Sequence, residues 1–509
     1  MQTGGTKSRY VGLDAIFQYI GSSVQFFSGM IFYIVISHIF DTTEVGVVAI
    51  FVAIIGLFNI VFSFGLSTAA QHFISYNLGK GVLSSVKNTV YKIVVIGVIC
   101  SSLGFLTLFA LSSVLSTIFL HTNHYNSLIK MLGFVLVGNV MFGILNGTML
   151  GIQNFKQAAL INIIVWVAYY LSPILFAIYF HSIYFIIIGW IIGIFTGVSF
   201  YLVSIIISMQ KFSGGKNSLT SLHIVKYSLP ILFAGVISYG ASYSDRFIVS
   251  GFMSLSSLGI YNYALLISGA ISFISVPLNN ILMPKFSELY GSGNKVEISS
   301  YVKLTTTLLA AIFIPVAMGL FILAPDVLYI LGGDNYISGA FPLQIILFFS
   351  AIFIPQSILF QAIGAVRKTN YFIYTSAISL LTNISFSLLL IPPFGLVGAS
   401  VGFSSVFAAT FLILYMLSKR EKIVSFDKLS FVKIWISSLL MVIIIFFTTV
   451  VTGNKILLVP LYVFIGSITY VFLARSFKIF GKNDTKYLLS IFPENMVFLR
   501  KIVSIIVNN

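Results

Sequence analysis

Apolar residues run along this chain in long unbroken stretches. Each is long enough to cross the roughly 30 Å hydrocarbon core of a bilayer as a helix. Fourteen such stretches lie near 12–38, 45–69, 90–115, 127–151, 158–180, 184–208, 227–251, 259–283, 302–324, 339–362, 371–391, 395–417, 432–452 and 456–474. Strands of a membrane barrel would instead alternate apolar and polar positions in segments of about ten. The pattern therefore predicts an all-α, polytopic membrane protein of about 14 transmembrane helices.

The basic residues test that count. With the N-terminus placed inside and the loops assigned alternately, 25 of the 28 Lys and Arg fall on the inner side. Only Lys130, Arg246 and Lys455 fall elsewhere. A missed or extra span would scramble the alternation from that point on, because basic loops mark the cytoplasmic side. The expectation is a multi-pass protein of the cytoplasmic (cell) membrane with both termini in the cytoplasm. The first apolar run is too long for a signal-peptide core and shows no small-residue cleavage site, so it reads as a retained helix.

Composition narrows the picture further. Apolar residues make up 58% and charged residues 8%, against about 25% charged in a soluble domain. The net charge of +16 is scattered through short loops and builds no patch for nucleic acid. Cys100 is the only cysteine, which excludes an internal disulfide; it reads as a small apolar filler. The largest outer loop, near 325–338, carries Asp326 and Asp334 and no basic residue. No loop is long enough to house a catalytic domain, so an enzyme is not expected. After Arg475, Lys mixes with Phe, Leu and Ile, the pattern of an amphipathic helix on the inner membrane surface.

The chain also repeats itself. At a shift of 213 residues, Val45-Gly46-Val47 falls on Leu258-Gly259-Ile260, Ile54 on Ile267, Gly56 on Gly269 and Phe73 on Phe286. Near the end of each half, at a shift of 209, Gly189 falls on Gly398 and Gly193 on Gly402. A unit of six helices is even, so both copies enter the membrane the same way, as in a parallel repeat about an axis along the membrane normal. The expected organisation is an N-terminal lobe over 1–226, a C-terminal lobe over 227–418, two further helices over 419–476 and a cytoplasmic tail over 477–509. Paired lobes of this kind suggest alternating access to a site between them.

Polar residues inside the spans point to that site, because polar groups are costly against lipid and turn inward. At about 100° per residue, Asp14, Gln18 and Gln25 share one face of the first helix. Asn59 and Ser63 share a face of the second. Gly235, Ser238, Tyr239, Ser242 and Arg246 form one stripe of the seventh, with Asp245 beside it. Ser268, Ser272, Ser275 and Asn279 form another on the eighth. These helices are equivalent pairs under the repeat, which suggests one shared cavity. The plainer reading is interhelical hydrogen bonding, at roughly 0.6 kcal/mol per contact. Arg246 needs a partner inside the membrane: Asp245 in a structural pair, or an anionic substrate group. Lys130 reads as snorkelling to the outer interface.

Gly143, Gly147 and Gly151, and again Gly189, Gly193 and Gly197, recur every four residues and read as close helix packing. Pro230, Pro277, Pro315 and Pro355 are candidate hinges or static kinks. His121 and His124 sit three apart with no Cys or carboxylate nearby, which argues against a metal site. No phosphate-binding Gly loop, zinc spacing or Ser/His/Asp set is present, so no cofactor is expected. Proton or sodium coupling through Asp14 stays open, beside a simple helix-terminus charge.

One segment carries a family likeness. Ser244-Asp245-Arg246-Phe247-Ile248, followed by Leu258-Gly259-Ile260-Tyr261 and Ala264, resembles the midpoint of the Wzx-type polysaccharide flippases, the polysaccharide transporter branch of the MOP superfamily. Leu331-Gly332-Gly333 with Tyr336, and Pro393-Phe394-Gly395-Leu396-Val397-Gly398-Ala399, match further along. The resemblance covers nearly the whole chain. It implies a flippase moving a lipid-linked oligosaccharide, on a polyprenyl phosphate or diphosphate, from the cytoplasmic to the outer leaflet for surface polysaccharide or glycoprotein assembly. Its partners would be that glycolipid, membrane lipids and glycan-assembly proteins, with the chain itself a monomer. A cationic cavity would hold the phosphate, and Arg246 matches best. The first helix lacks the buried arginine of the lipid II flippase branch. The competing readings are a cation-coupled multidrug exporter of the same superfamily, which usually has twelve helices and deep acids, and a glycan-joining membrane enzyme, which would want a large outer loop.

Overall fold

The computed structural model describes the backbone of residues 4–80, 82–210, 220–366, 370–453 and 456–480, and the side chains from residue 21 onward apart from 83, 84, 277, 280, 281 and 370. Among the described residues every regular element is a helix. Fourteen helical spans are long and apolar enough to cross a membrane, from Gly21–Ile39 to Ile456–Ser476, and each overlaps one predicted stretch. The predicted amphipathic tail helix and the call on residues beyond 480 lie outside the described residues.

The chain divides into two compact units, Met1–Gly259 and Ile260–Asn509. The first contains α1 (Gly4–Ile39), α2 (Thr42–Ser63), α3 (Leu66–Gly79), α4 (Leu83–Leu120), α5 (Asn126–Gly151), α6 (Phe155–Phe180), α7 (Ile183–Met209), α8 (Ser221–Phe252) and the start of α9 (Leu255–Ser272). The second continues through α10 (Val276–Gly291), α11 (Lys295–Ile322), α12 (Ala324–Gly332), α13 (Ala340–Phe353), α14 (Gln356–Ala365), α15 (Asn370–Phe394), α16 (Leu396–Arg420), α17 (Lys428–Thr452) and α18 (Val459–Ser476). The seventh span, α8, is grouped with the six before it. Its Tyr239 hydroxyl donates to the Ala53 carbonyl at 2.7 Å, and its Ser250 hydroxyl to the Phe119 carbonyl at 3.1 Å.

Small residues set the helix contacts inside the first unit. A Cβ at Gly189 or Gly193 of α7 would run into the backbone of Pro173 or Tyr169 on α6. One at Gly147 of α5 would overlap Ser67 of α3, and Gly151 lies against Ile74. Gly143 has no neighbour within 4 Å of a modest Cβ, so that stripe packs at two of its three positions. In the second unit, Gly398 and Gly402 of α16 lie against Leu390 and Ser387 of α15. The glycines paired by the 209-residue shift thus do the same work, each pressing a helix onto the one before it.

The 213-residue shift has a counterpart too. A Cβ at Gly46 would overlap the Leu255 carbonyl oxygen, and one at Gly259 would overlap that of Thr42. Residues 42 and 255 are themselves 213 apart. The contact is therefore reciprocal, as a local two-fold demands, and the Thr42 and Ser256 hydroxyls close it at 2.7 Å.

Several spans are interrupted. The second is broken between α2 and α3, where Phe64 (φ 52°) and Gly65 (φ 68°) are left-handed. The eighth passes through a 3₁₀ turn, Phe273–Ser275, just before Pro277. The tenth span, α13, ends at Phe353, with Pro355 preceding α14. Pro230 and Pro315 interrupt neither α8 nor α11. The 325–338 segment, expected on the outer side, folds into α12 and a 3₁₀ turn over Asp334–Gly339. At the start of α17, Asp427 accepts from the Ser430 N–H at 3.1 Å and pairs with Lys303 at 3.2 Å. Partial burial opposes its ionisation, but these two donors hold its carboxyl below the usual carboxylate range.

Candidate functional site

Helix α8 carries the chemistry of the first unit. It runs 32 residues, and its polar positions recur at three and four, which stacks them on one face. Near its C-terminal end Asp245 is fully buried and the Arg246 side chain is 12% exposed. Arg246 Nη1 donates to the Ser242 carbonyl at 2.8 Å and to Asp245 Oδ1 at 3.4 Å. Its guanidinium carbon lies 4.2 Å from the centre of the Tyr243 ring. That ring stacks on Tyr239 at 4.4 Å, with planes 5° apart, and Tyr239 is fixed in turn by Ala53 of α2. Gly56 makes room for it, since a Cβ there would overlap the Tyr239 hydroxyl.

The result is a column: two tyrosine rings, then a planar cation, all on one helix and anchored to the next. A guanidinium is attracted to an aromatic face and presents five donors in a fork that suits carboxylate or phosphate. Tyr243 was not among the sequence candidates. Its signal was present: it is four residues from Tyr239 and three before Arg246, the spacing that brings side chains together on a helix.

The other sequence candidates fall into three groups. The hydroxyls of Ser242 and Ser272 donate to carbonyls four residues back in their own helices, Ser238 and Ser268, each at 3.1 Å. Ser268 and Ser275 likewise bond within α9 and the 3₁₀ turn that follows it. These serines therefore do not form the interhelical bonds that were their plainer reading. Asn59 and Asn279 are different: the amide oxygen of each is buried with no hydrogen-bond partner among the described residues. Buried polar atoms are nearly always satisfied, so each oxygen has capacity for a water or ligand donor. Gln25 is half-buried on α1. The side chains of Asp14 and Gln18 lie outside the described residues.

Two further polar residues make defined contacts. Lys130 Nζ lies 4.8 Å from the centre of the Phe109 ring. His121 Nε2 is 2.7 Å from the Ser250 carbonyl, which ties the α4–α5 turn to the end of α8.

Known proteins share this architecture. Residues 35–340 match the model of a family described as polysaccharide biosynthesis protein. The probable low-salt glycan biosynthesis flippase Agl15 of Haloferax volcanii is 23% identical over 283 residues, which are 55% of this chain and 58% of that protein. The chain thus matches little more than half the length of that relative. Lipid II flippase MurJ in an inward closed conformation aligns with a TM-score of 0.71 over 91% of this chain and 98% of its own, at 16% identity. An inward-facing multidrug resistance MATE family transporter of the MOP superfamily aligns with a TM-score of 0.67 over 78% of this chain and 94% of its own, at 13% identity. At such identities the two structures establish the fold.

Proposed function

We propose that this chain, which belongs to the polysaccharide biosynthesis protein family, moves a lipid-linked oligosaccharide across the cytoplasmic membrane by alternating access. The observation that carries the reading is Arg246. An arginine within a span costs about 2.5–3.5 kcal/mol or more. A purely structural role would favour full burial against its carboxylate. Here the guanidinium is held by Asp245, the Ser242 carbonyl and the Tyr243 face and still reaches the surface. That is a pre-positioned fork for the phosphate of a polyprenyl phosphate or diphosphate carrier. The unmatched amide oxygens of Asn59 and Asn279 suit glycan hydroxyls. The reading includes the two six-helix lobes of the repeat, and both termini on the cytoplasmic side, where most basic residues lie.

The likeness to the MATE transporter supports a second reading, cation-coupled export of small molecules. Against it, Asp245 is already paired with a guanidinium, which makes it a poor cation carrier. The two readings separate in proteoliposomes holding the purified chain, given a polyprenyl diphosphate oligosaccharide and, in parallel, a small cationic dye. We expect glycolipid movement well above empty liposomes and no dye movement. Dye movement without glycolipid movement would replace the flippase reading with the exporter.

A further inference from the structure

A second ring column lies at the other end of the same helix. His72 of α3 stacks on Tyr227 of α8 with centres 4.7 Å apart and planes 11° apart. It also lies parallel to Tyr76 at 6.2 Å, 19° between planes. Phe73 meets Tyr227 edge-on at 5.1 Å, and Lys80 Nζ sits 4.6 Å from the Tyr76 ring centre. His72 and Lys80 are exposed; Tyr76 and Tyr227 are 51% and 37% exposed. The column therefore shows solvent-side or lipid-side surface rather than filling a core.

Tyrosines and lysines at a membrane boundary ordinarily form an interfacial belt that faces lipid. Position on α8 separates that case from this one. By helical periodicity Tyr227 lies about 20° from Ser238 and about 60° from Ser242, at one edge of a polar stripe that extends to about 100° at Arg246 and about 120° at Tyr239. The exposed apolar residues of the same half of α8, Leu222, Leu229 and Phe233, lie about 200–240° round from it. In this half of the helix the rings thus border the polar face and lie away from the exposed apolar one. They also stack across two helices, α3 and α8, instead of spreading outward singly.

We propose that this column is a capture station for the sugar-diphosphate head of the glycolipid. The inference rests on the flippase reading above and adds a substrate contact to it. A pyranose ring presents C–H faces, which pack on aromatic rings, and hydroxyl edges, which bond to the tyrosine hydroxyls and the imidazole nitrogens. Lys80 supplies positive charge beside the rings. In the proposed orientation α3 ends and α8 begins on the cytoplasmic side, where the substrate is made. Tyr227 and Arg246 are 19 residues apart on α8, about 28 Å along the axis. One diphosphate cannot touch both at once, so the stations act in sequence.

The test is binding to the full-length chain in lipid nanodiscs. The probes are a polyprenyl diphosphate bearing a neutral hexose trisaccharide and the same polyprenyl diphosphate without sugar. Tyr227→Leu and His72→Gln should each weaken binding of the glycosylated probe about tenfold and leave the bare probe unchanged, while Tyr227→Phe, which keeps the ring and loses only a hydroxyl, should weaken the glycosylated probe less than Tyr227→Leu does. Equal loss with both probes, or no loss with either, overturns the sugar station. Should Tyr227→Leu fail to fold, His72→Gln at an exposed position decides alone. Failure of the unmodified chain to bind the glycosylated probe would remove the flippase reading itself, an outcome distinct from the others.

Discussion

Arg246 is the residue on which charge, geometry and membrane cost meet. Its carboxylate neighbour Asp245 is fully buried. Removing one member of such a pair leaves the other uncompensated, at a cost of roughly 3–5 kcal/mol. Arg246→Gln softens that cost, because the amide can still donate a hydrogen bond toward Asp245, although the carboxylate loses its counter-charge. We expect this variant to purify as a folded, monodisperse protein and to translocate glycolipid at least about tenfold more slowly, the loss of one charge-assisted contact of about 1.5–3 kcal/mol. Wild-type transport by Arg246→Gln would sink the phosphate-binding role. Asp245→Asn should show the opposite balance, a lowered melting temperature before any selective transport defect.

The elements were largely legible in the sequence, and the interruptions were not. All fourteen spans follow from apolar run length and the alternation of basic loops, because both report which solvent a segment meets. Neither reports backbone direction. The break between α2 and α3 falls inside one continuous apolar run, with no proline to mark it. Of the prolines read as candidate hinges, Pro355 marks a break and Pro230 and Pro315 do not. The hydroxyls of Ser242, Ser268, Ser272 and Ser275 turn back onto their own helices and the adjoining turn, which periodicity cannot foresee. At the α2–α3 break, Gly65 has φ 68°, and a Cβ there would lie 2.9 Å from the Ser228 carbonyl and 3.0 Å from Ile231 Cβ on α8. Gly65→Ala therefore meets both backbone strain and a crowded neighbour. It should destabilise the protein by about 1–3 kcal/mol, seen as a lower melting temperature in detergent. An unchanged melt would mean that the break needs no glycine.

At the scale of the whole molecule, the internal repeat links sequence to mechanism. Low-identity matches between apolar helices are weak on their own. The reciprocal approach of Gly46 to Leu255 and of Gly259 to Thr42 gives the 213-residue shift a physical meaning, since a chance alignment would not produce matched contacts. On the proposed orientation this crossing lies at the outer ends of the second and eighth spans. A substrate leaving to the outer side by alternating access needs those ends to part. The Thr42 and Ser256 hydroxyls, 2.7 Å apart, offer a way to hold them. With Cys100, the only native cysteine, replaced by Ser, the pair Thr42→Cys and Ser256→Cys brings two thiols within the short reach that a disulfide requires. Oxidation should cross-link them and stop glycolipid transport, and reduction should restore it. Transport that continued through the cross-link would show that these ends stay joined during the cycle, and the path for the glycan would have to open elsewhere.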